Sequence, residues 1–237
     1  MTISIAVAAA AGVILSPWLR RSIERHAVAV GRPWRHTCHR CGVPRGARLP
    51  WTGRCPHCHH RIGPPAGVVE VVTAATLGSL VPLAKAPLEL AAYAWVATLG
   101  VILAFVDLAV RRLPDRLTLS AFAGAALLLT GAALMDDRPA AAGRAVLTGV
   151  AVAAGYLLLM LLRPGGLGFG DVKLALATGT VLGWRSPASA VVGTAAGFLL
   201  SGLLAAALLA TGRASRTTAL PHGPFMLLGT LIGMSLR

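Results

Sequence analysis

The sequence predicts an all-α polytopic membrane protein of about eight transmembrane helices, with a small cysteine-bearing insert after the first. Three observations predict it. Of the 237 residues, 56% are hydrophobic and only 13% charged, about half the charge of an ordinary soluble domain; the mean hydropathy is +0.72. These few charges leave long runs free of Asp, Glu, Lys and Arg. The basic residues, finally, are distributed unevenly between the runs.

In chain order, residues 1–19 form the first run. No Lys or Arg precedes it, and Arg20 and Arg21 follow it, the reverse of a cleaved secretory signal. It is expected to be a first span with its N-terminus outside. An insert follows, and then residues 62–84, interrupted only by Glu70. Residues 90–106, 117–135 and 145–162 are each near the ~18 apolar residues that mark a spanning helix. The stretch 174–184 has only 11 uncharged residues. At ~1.5 Å per residue it is too short for a ~30 Å hydrocarbon core, unless the helix begins near Leu167 and takes in Asp171 and Lys173. Residues 186–212 and 217–236 complete the series.

Charge tests the orientation independently. With the N-terminus outside, residues 20–61, 107–116, 163–173 and 213–222 are cytoplasmic, and they hold 17 of the 22 Lys and Arg. The acids Glu89, Asp136 and Asp137 fall on the other side, where Arg144 reads as an interfacial anchor. The net charge of +14 therefore reflects topology and attraction to anionic lipid heads. Nucleic acid is not an expected partner, because the arginines lie on an inserted loop without interleaved stacking aromatics.

All four cysteines lie in "CHRCGVPRGARLPWTGRCPHC", as Cys38-x2-Cys41 and Cys55-x2-Cys58. Two such pairs supply four thiolates for tetrahedral zinc. Disulfides are the alternative in an oxidising compartment, but the charge pattern places the loop in the cytoplasm. His39, His57, His59 or His60 could replace a cysteine, though all four read more simply as exposed polar residues. With four thiolates no coordination position is open, so the zinc is structural: it holds a loop too poor in apolar residues to fold on its own core. The expected units are a transmembrane helix (1–19), a four-cysteine zinc loop (20–63) and a seven-helix membrane domain (64–237).

Three carboxylates sit where membrane meets cytoplasm. Asp107 ends the third span, Asp115 follows Pro114 before the fourth, and Asp171 opens the sixth. Two carboxylates facing each other can share a proton and activate water for amide hydrolysis. Asp115 reads as a helix N-cap. Asp107 lies near a helix C-terminus, where the dipole disfavours a negative charge, and Asp171 near an N-terminus, where it is favoured. Asp171 is thus expected to be the base and Asp107 the acid of a coupled pair. Gly165, Gly166, Gly168 and Gly170 clear side chains from beside Asp171 and permit positive φ. Lys173 is two residues from Asp171, about 200° around a helix, so it is expected to reach the interface or a neighbouring group rather than Asp171.

These residues resemble a known family. "GFGD" (Gly168 to Asp171), followed by "VKL", is similar to the GxGD motif of the type IV prepilin peptidases, intramembrane aspartic proteases. "VDLAVRRLPDRLTL" is similar to the family's first catalytic segment, and "PHGPFMLLG" to its PxGPxLxxG stretch. Glu70 in "GVVEVVTAATLG" falls where the family has a glutamate, and the double Cys-x2-Cys insert is a family feature. The opening "ILSPWLRRSIERH" lacks the family's Asn. The resemblance implies a bacterial inner-membrane enzyme that cuts the basic leader from prepilins or pseudopilins on the cytoplasmic face. It implies Asp107 and Asp171 as the catalytic pair, and in many members S-adenosylmethionine-dependent methylation of the new N-terminus. The ten arginines of residues 20–61 would repel a basic leader, so Glu70 and the catalytic pair are expected to compensate locally. Glu70 otherwise reads as the ion-pair partner of an arginine in the zinc loop.

Two other function classes fit the residues. A non-catalytic membrane protein whose zinc loop docks a partner predicts that Asp107 and Asp171 lie far apart. A transporter predicts carboxylates at the bilayer midplane rather than at one face.

Overall fold

The computed structural model describes residues 2–236 except 30, 45, 47, 48, 51, 164, 216 and 217. Among them the eight expected segments appear as eight α-helices: α1 (Thr2–His26), α2 (Val68–Leu80, continued by a 3-10 turn Val81–Leu83), α3 (Pro87–Val110), α4 (Asp115–Met135), α5 (Pro139–Leu162), α6 (Phe169–Arg185), α7 (Pro187–Ala210) and α8 (Gly223–Ser235). By length and composition α3, α4, α5 and α7 can each cross a membrane, while Val68–Leu83 and Gly223–Ser235 are shorter apolar helices.

Local chemistry sets the boundaries. Pro87, Pro139 and Pro187 open α3, α5 and α7, where the missing N–H costs nothing. Ser186 caps α7 by accepting the Ser189 N–H at 3.0 Å. α3 is closed by Arg111, whose N–H still reaches the Asp107 carbonyl at 2.8 Å and whose left-handed backbone (φ 52°) then turns the chain out of the helix. α1 runs on to His26, past the expected end at residue 19, because Arg20 is neutralised within the protein and need not leave the helix.

α6 is the hub, packed against α4, α5, α7 and α8 and buried along most of its length. Small residues allow the close approach: a Cβ on Gly179 would lie 2.9 Å from the Gly149 Cα of α5. The same device joins α7 and α8, where a Cβ on Gly233 would sit 2.6 Å from the Ser189 carbonyl. Arg144 is more than an anchor. It donates to the Gly183 and Trp184 carbonyls at 3.3 and 3.2 Å, so it caps the C-terminus of α6. At the same end buried Glu89 accepts the Tyr93 hydroxyl, the Trp184 indole N–H (3.1 Å) and the Lys85 amide (2.7 Å).

Candidate active site

At the opposite end α3, α6 and α8 bring two carboxylates together. Asp107 (5% exposed) lies one turn before the end of α3, and Asp171 (8%) lies in the first turn of α6. Each is held by a glycine amide. The Gly223 N–H donates to Asp107 Oδ2 at 2.9 Å and the Gly168 N–H to Asp171 Oδ2 at 2.8 Å. The second bond is the returning half of a capping box, an acidic side chain at N3 reaching back to the N-cap amide. Leu113 lies between the two sites, against Gly170 beside Asp171 and against Gly223 beside Asp107. The partner-docking alternative required them to be far apart.

Leu113 sets the spacing. A Cβ on Gly170 would meet Leu113 Cβ at 2.8 Å, and one on Gly223 would meet Leu113 Cδ2 at 3.2 Å. The glycines therefore do different work from that expected. Of the four, only Gly165 has positive φ (86°). Gly168 supplies an amide, and Gly170 makes room for Leu113 of this chain rather than for a peptide.

The expected acid and base assignment also changes its footing. Asp107 lies near the C-terminus of α3, but its carboxylate receives the first amide of α8. Both carboxylates thus face a helix N-terminus, and the helix dipoles do not tell them apart.

Asp115 is not a cap. Pro114 occupies the cap position, no side chain caps the helix, and Asp115 is the exposed first residue of α4. Its partner is Lys173, 2.7 Å away, whose ammonium also lies over the Phe169 ring at 4.6 Å. The pair ties α4 to α6 beside the site. Glu70 meets Arg20 in a two-point ion pair, Nε to Oε1 at 2.8 Å and Nη2 to Oε2 at 2.6 Å. Arg20 also donates to the Pro64 and Pro65 carbonyls at 2.9 Å, so this pair fastens the end of the insert to α1 and α2.

Three aromatic groups beside the pair were not singled out in the sequence. His222 Nε2 lies 3.2 Å from the Tyr156 hydroxyl, and Phe198 stacks on Tyr156 at 5.0 Å. Tyr156 is within electrostatic reach of Asp171. The available signal was polarity: a histidine inside the uncharged run 217–236 and a tyrosine inside 145–162.

In the insert, the sulfurs of Cys38, Cys41, Cys55 and Cys58 all lie within 4.8 Å of one another. Cys38 and Cys58 are 3.8 Å apart, as are Cys41 and Cys55. Around a tetrahedral ion with ~2.3 Å metal–sulfur bonds the sulfurs would be about 3.8 Å apart, so the residues fit zinc. Among the described residues no histidine joins this group. Each pair sits on a tight turn closed by backbone bonds (Cys38 N–H to Val43, Cys55 N–H to His60), with positive φ after the second cysteine, at Gly42 and His59. The Cys41 and Arg40 amides aimed at the Cys38 sulfur bring its thiol down to about 6, and the Cys58 and His57 amides lower Cys55 likewise, while burial and the neighbouring thiols push Cys41 up to about 11.

The type IV leader peptidase family matches residues 94–211, a span that includes Asp107, Asp115 and Asp171. The chain is similar to the prepilin leader peptidase/N-methyltransferase of Burkholderia pseudomallei (strain K96243), 33% identical over 82% of this chain and 65% of that protein. It is also similar to the proteins of that name from Bacillus subtilis (strain 168), 30% identical over 76% of this chain and 69% of that one, and from Aeromonas salmonicida, 32% over 69% and 58%. The chain thus spans about two thirds of the length of the Burkholderia relative. No solved structure matches it.

Proposed function

The chain belongs to the type IV leader peptidase family, and from that membership we propose that it is a membrane aspartic endopeptidase with Asp107 and Asp171 as its catalytic pair. It is a multi-pass membrane protein. Its substrates are prepilin or pseudopilin precursors, cut between basic leader and apolar segment at the cytoplasmic face of the bacterial inner membrane. The N-terminus is outside, and the cysteine loop (20–63) and the aspartates are cytoplasmic. The observation that carries this reading is the pair itself: two buried carboxylates from different helices, each fixed by a glycine amide, with Gly170 beside one and Gly223 beside the other both packed on Leu113.

In the reaction the ionised carboxylate takes a proton from a water whose oxygen attacks the scissile carbonyl carbon. The protonated partner hydrogen-bonds the carbonyl oxygen and gives its proton as charge develops there; a proton then passes to the leaving nitrogen as the C–N bond breaks. The pair titrates as a unit, so acid and base are roles within it. Gly168 and Gly223 fix the carboxylate orientations, and Gly170 with Leu113 sets the helix spacing. The Lys173–Asp115 and Arg20–Glu70 pairs hold the frame. Cys38, Cys41, Cys55 and Cys58 would hold zinc, which cross-links the loop and takes no part in hydrolysis. Methylation of the new N-terminus from S-adenosylmethionine rests on the relatives' names alone and is assigned no residue.

The test is cleavage of a prepilin-like peptide by the purified, reconstituted protein. Asp107→Asn and Asp171→Asn should each abolish turnover while leaving the protein monodisperse, and Asp115→Asn should cut within a few-fold of wild type. Normal cleavage by Asp107→Asn would overturn the assignment.

A further inference from the structure

An apolar cavity of about 310 Å³ opens on the flank of the bundle, walled by α2, α3 and α8. Its lining runs along α3 from Tyr93 to Leu108, a length of about 22 Å on a helix. Val68 and Val72 form one wall, Pro224 and Leu228 the other, and Gly100 the floor. Val68, Val72, Leu108 and Leu228 are exposed. The groove exists because α3 packs against both α2 and α8, and these two walls are short helices of 13 residues each.

Where this groove ends decides what it is for. Leu108 and Pro224 line it at that end, and they directly follow Asp107 and Gly223, the residues joined at the carboxylate. Beyond them Phe105 and Leu108 also line a second cavity of about 430 Å³, between α3 and the insert. That one is partly polar: Glu24 lines it, paired with the half-exposed Arg35 at 3.2 Å, alongside Pro64 and Pro65. An apolar channel in the membrane and a charged cavity outside it therefore meet at Phe105 and Leu108, which flank Asp107 in sequence.

We propose that the α2–α3–α8 groove seats the apolar helix of the substrate, on the far side of the scissile bond from a leader lying in the Glu24–Arg35 cavity. The proposal rests on the endopeptidase reading and deepens it. A peptide with a charged half and an apolar half, running from one cavity to the other, has to pass Leu108, one residue along α3 from Asp107. A lipid chain would fill the groove but has no use for the second cavity beyond Leu108. Side chains of the apolar helix enter the groove while its outer face stays in lipid, so the substrate can arrive and leave sideways through the bilayer.

The test separates binding from cleavage. The full chain, with a photo-reactive phenylalanine replacing Leu228, is reconstituted in phosphatidylcholine nanodiscs with a synthetic peptide carrying a basic leader, a glycine and a 20-residue apolar helix. The same replacement at Val191, exposed on α7, is the control. Cross-linking of the apolar half to position 228 but not 191 is expected, whether or not the peptide is cut. Cross-linking to lipid alone at 228, or equal cross-linking at both positions, overturns the proposal. Cross-linking at 228 with no cleavage by wild type overturns only the endopeptidase reading. Val72→Trp, which narrows the groove, should also lower kcat/KM for the membrane peptide at least tenfold and leave a short peptide without the apolar helix unaffected. Equal loss on both peptides would count against the groove.

Discussion

The amide of Gly223 donates to the carboxylate of Asp107 at 2.9 Å, across 116 residues of sequence. This bond makes α8 part of the candidate site and gives a carboxylate near the C-terminus of α3 a helix N-terminus to face.

Gly223→Ala is expected to lower kcat ten- to hundredfold with KM little changed. The new Cβ would lie 3.1 Å from Asp107 Oδ2 and 3.2 Å from Leu113 Cδ2, so the amide or the carboxylate must shift. Such a loss equals about 1.4–2.7 kcal/mol of transition-state stabilisation. Steady-state kinetics on a prepilin-like peptide checks it; an unchanged kcat would remove this bond from the mechanism.

Gly170→Ala should be strongly impaired, because its Cβ would press on Leu113 Cβ at 2.8 Å. Trimming the neighbour should relieve that contact, so Gly170→Ala with Leu113→Ala is expected to recover activity relative to the single variant. If Gly170 instead serves a backbone torsion or a substrate contact, the second substitution will recover nothing.

Arg20→Met should destabilise the protein by about 3–5 kcal/mol, since it strands the Glu70 carboxylate and two proline carbonyls. Arg20→Met with Glu70→Leu should regain much of that loss. Thermal unfolding in detergent reads both. A double variant no better than Arg20→Met would show that the carbonyl contacts dominate the seam.

Metal analysis should find one zinc per chain, lost in Cys38→Ser. Removing the zinc with a chelator is expected to expose amides in residues 37–62 to hydrogen exchange while α3 to α8 stay protected, because the helices pack without the insert. Exposure spreading through α6 would mean that the metal supports the whole bundle.

Much of this was legible in the chain. Uncharged runs located eight helices, and Cys-x2-Cys spacing located the sulfur cluster, because both depend on neighbours in sequence. Asp107 and Asp171 stood out since a carboxylate inside or beside an apolar run needs a reason. What stayed hidden depends on contacts between distant segments. Asp115 looked like a cap until Lys173, from another helix, was seen beside it. Gly170 looked like a gap for a ligand until Leu113 filled it. The role of Gly223 lies in a bond that no local pattern encodes.

The hub position of α6 has a consequence for how the protein is made. With 17 residues, and Asp171 and Lys173 near its start, α6 is too short and too polar to settle in a bilayer unaided. Its burial comes from α4 and α5, already synthesised when it emerges, and from α7 and α8, which are not. Asp107, for its part, waits through another 116 residues for the amide of Gly223. A ribosome partway along this message therefore carries both aspartates in a chain whose carboxylates are not yet in register. The surroundings of Asp107 are complete only once Gly223 has been made.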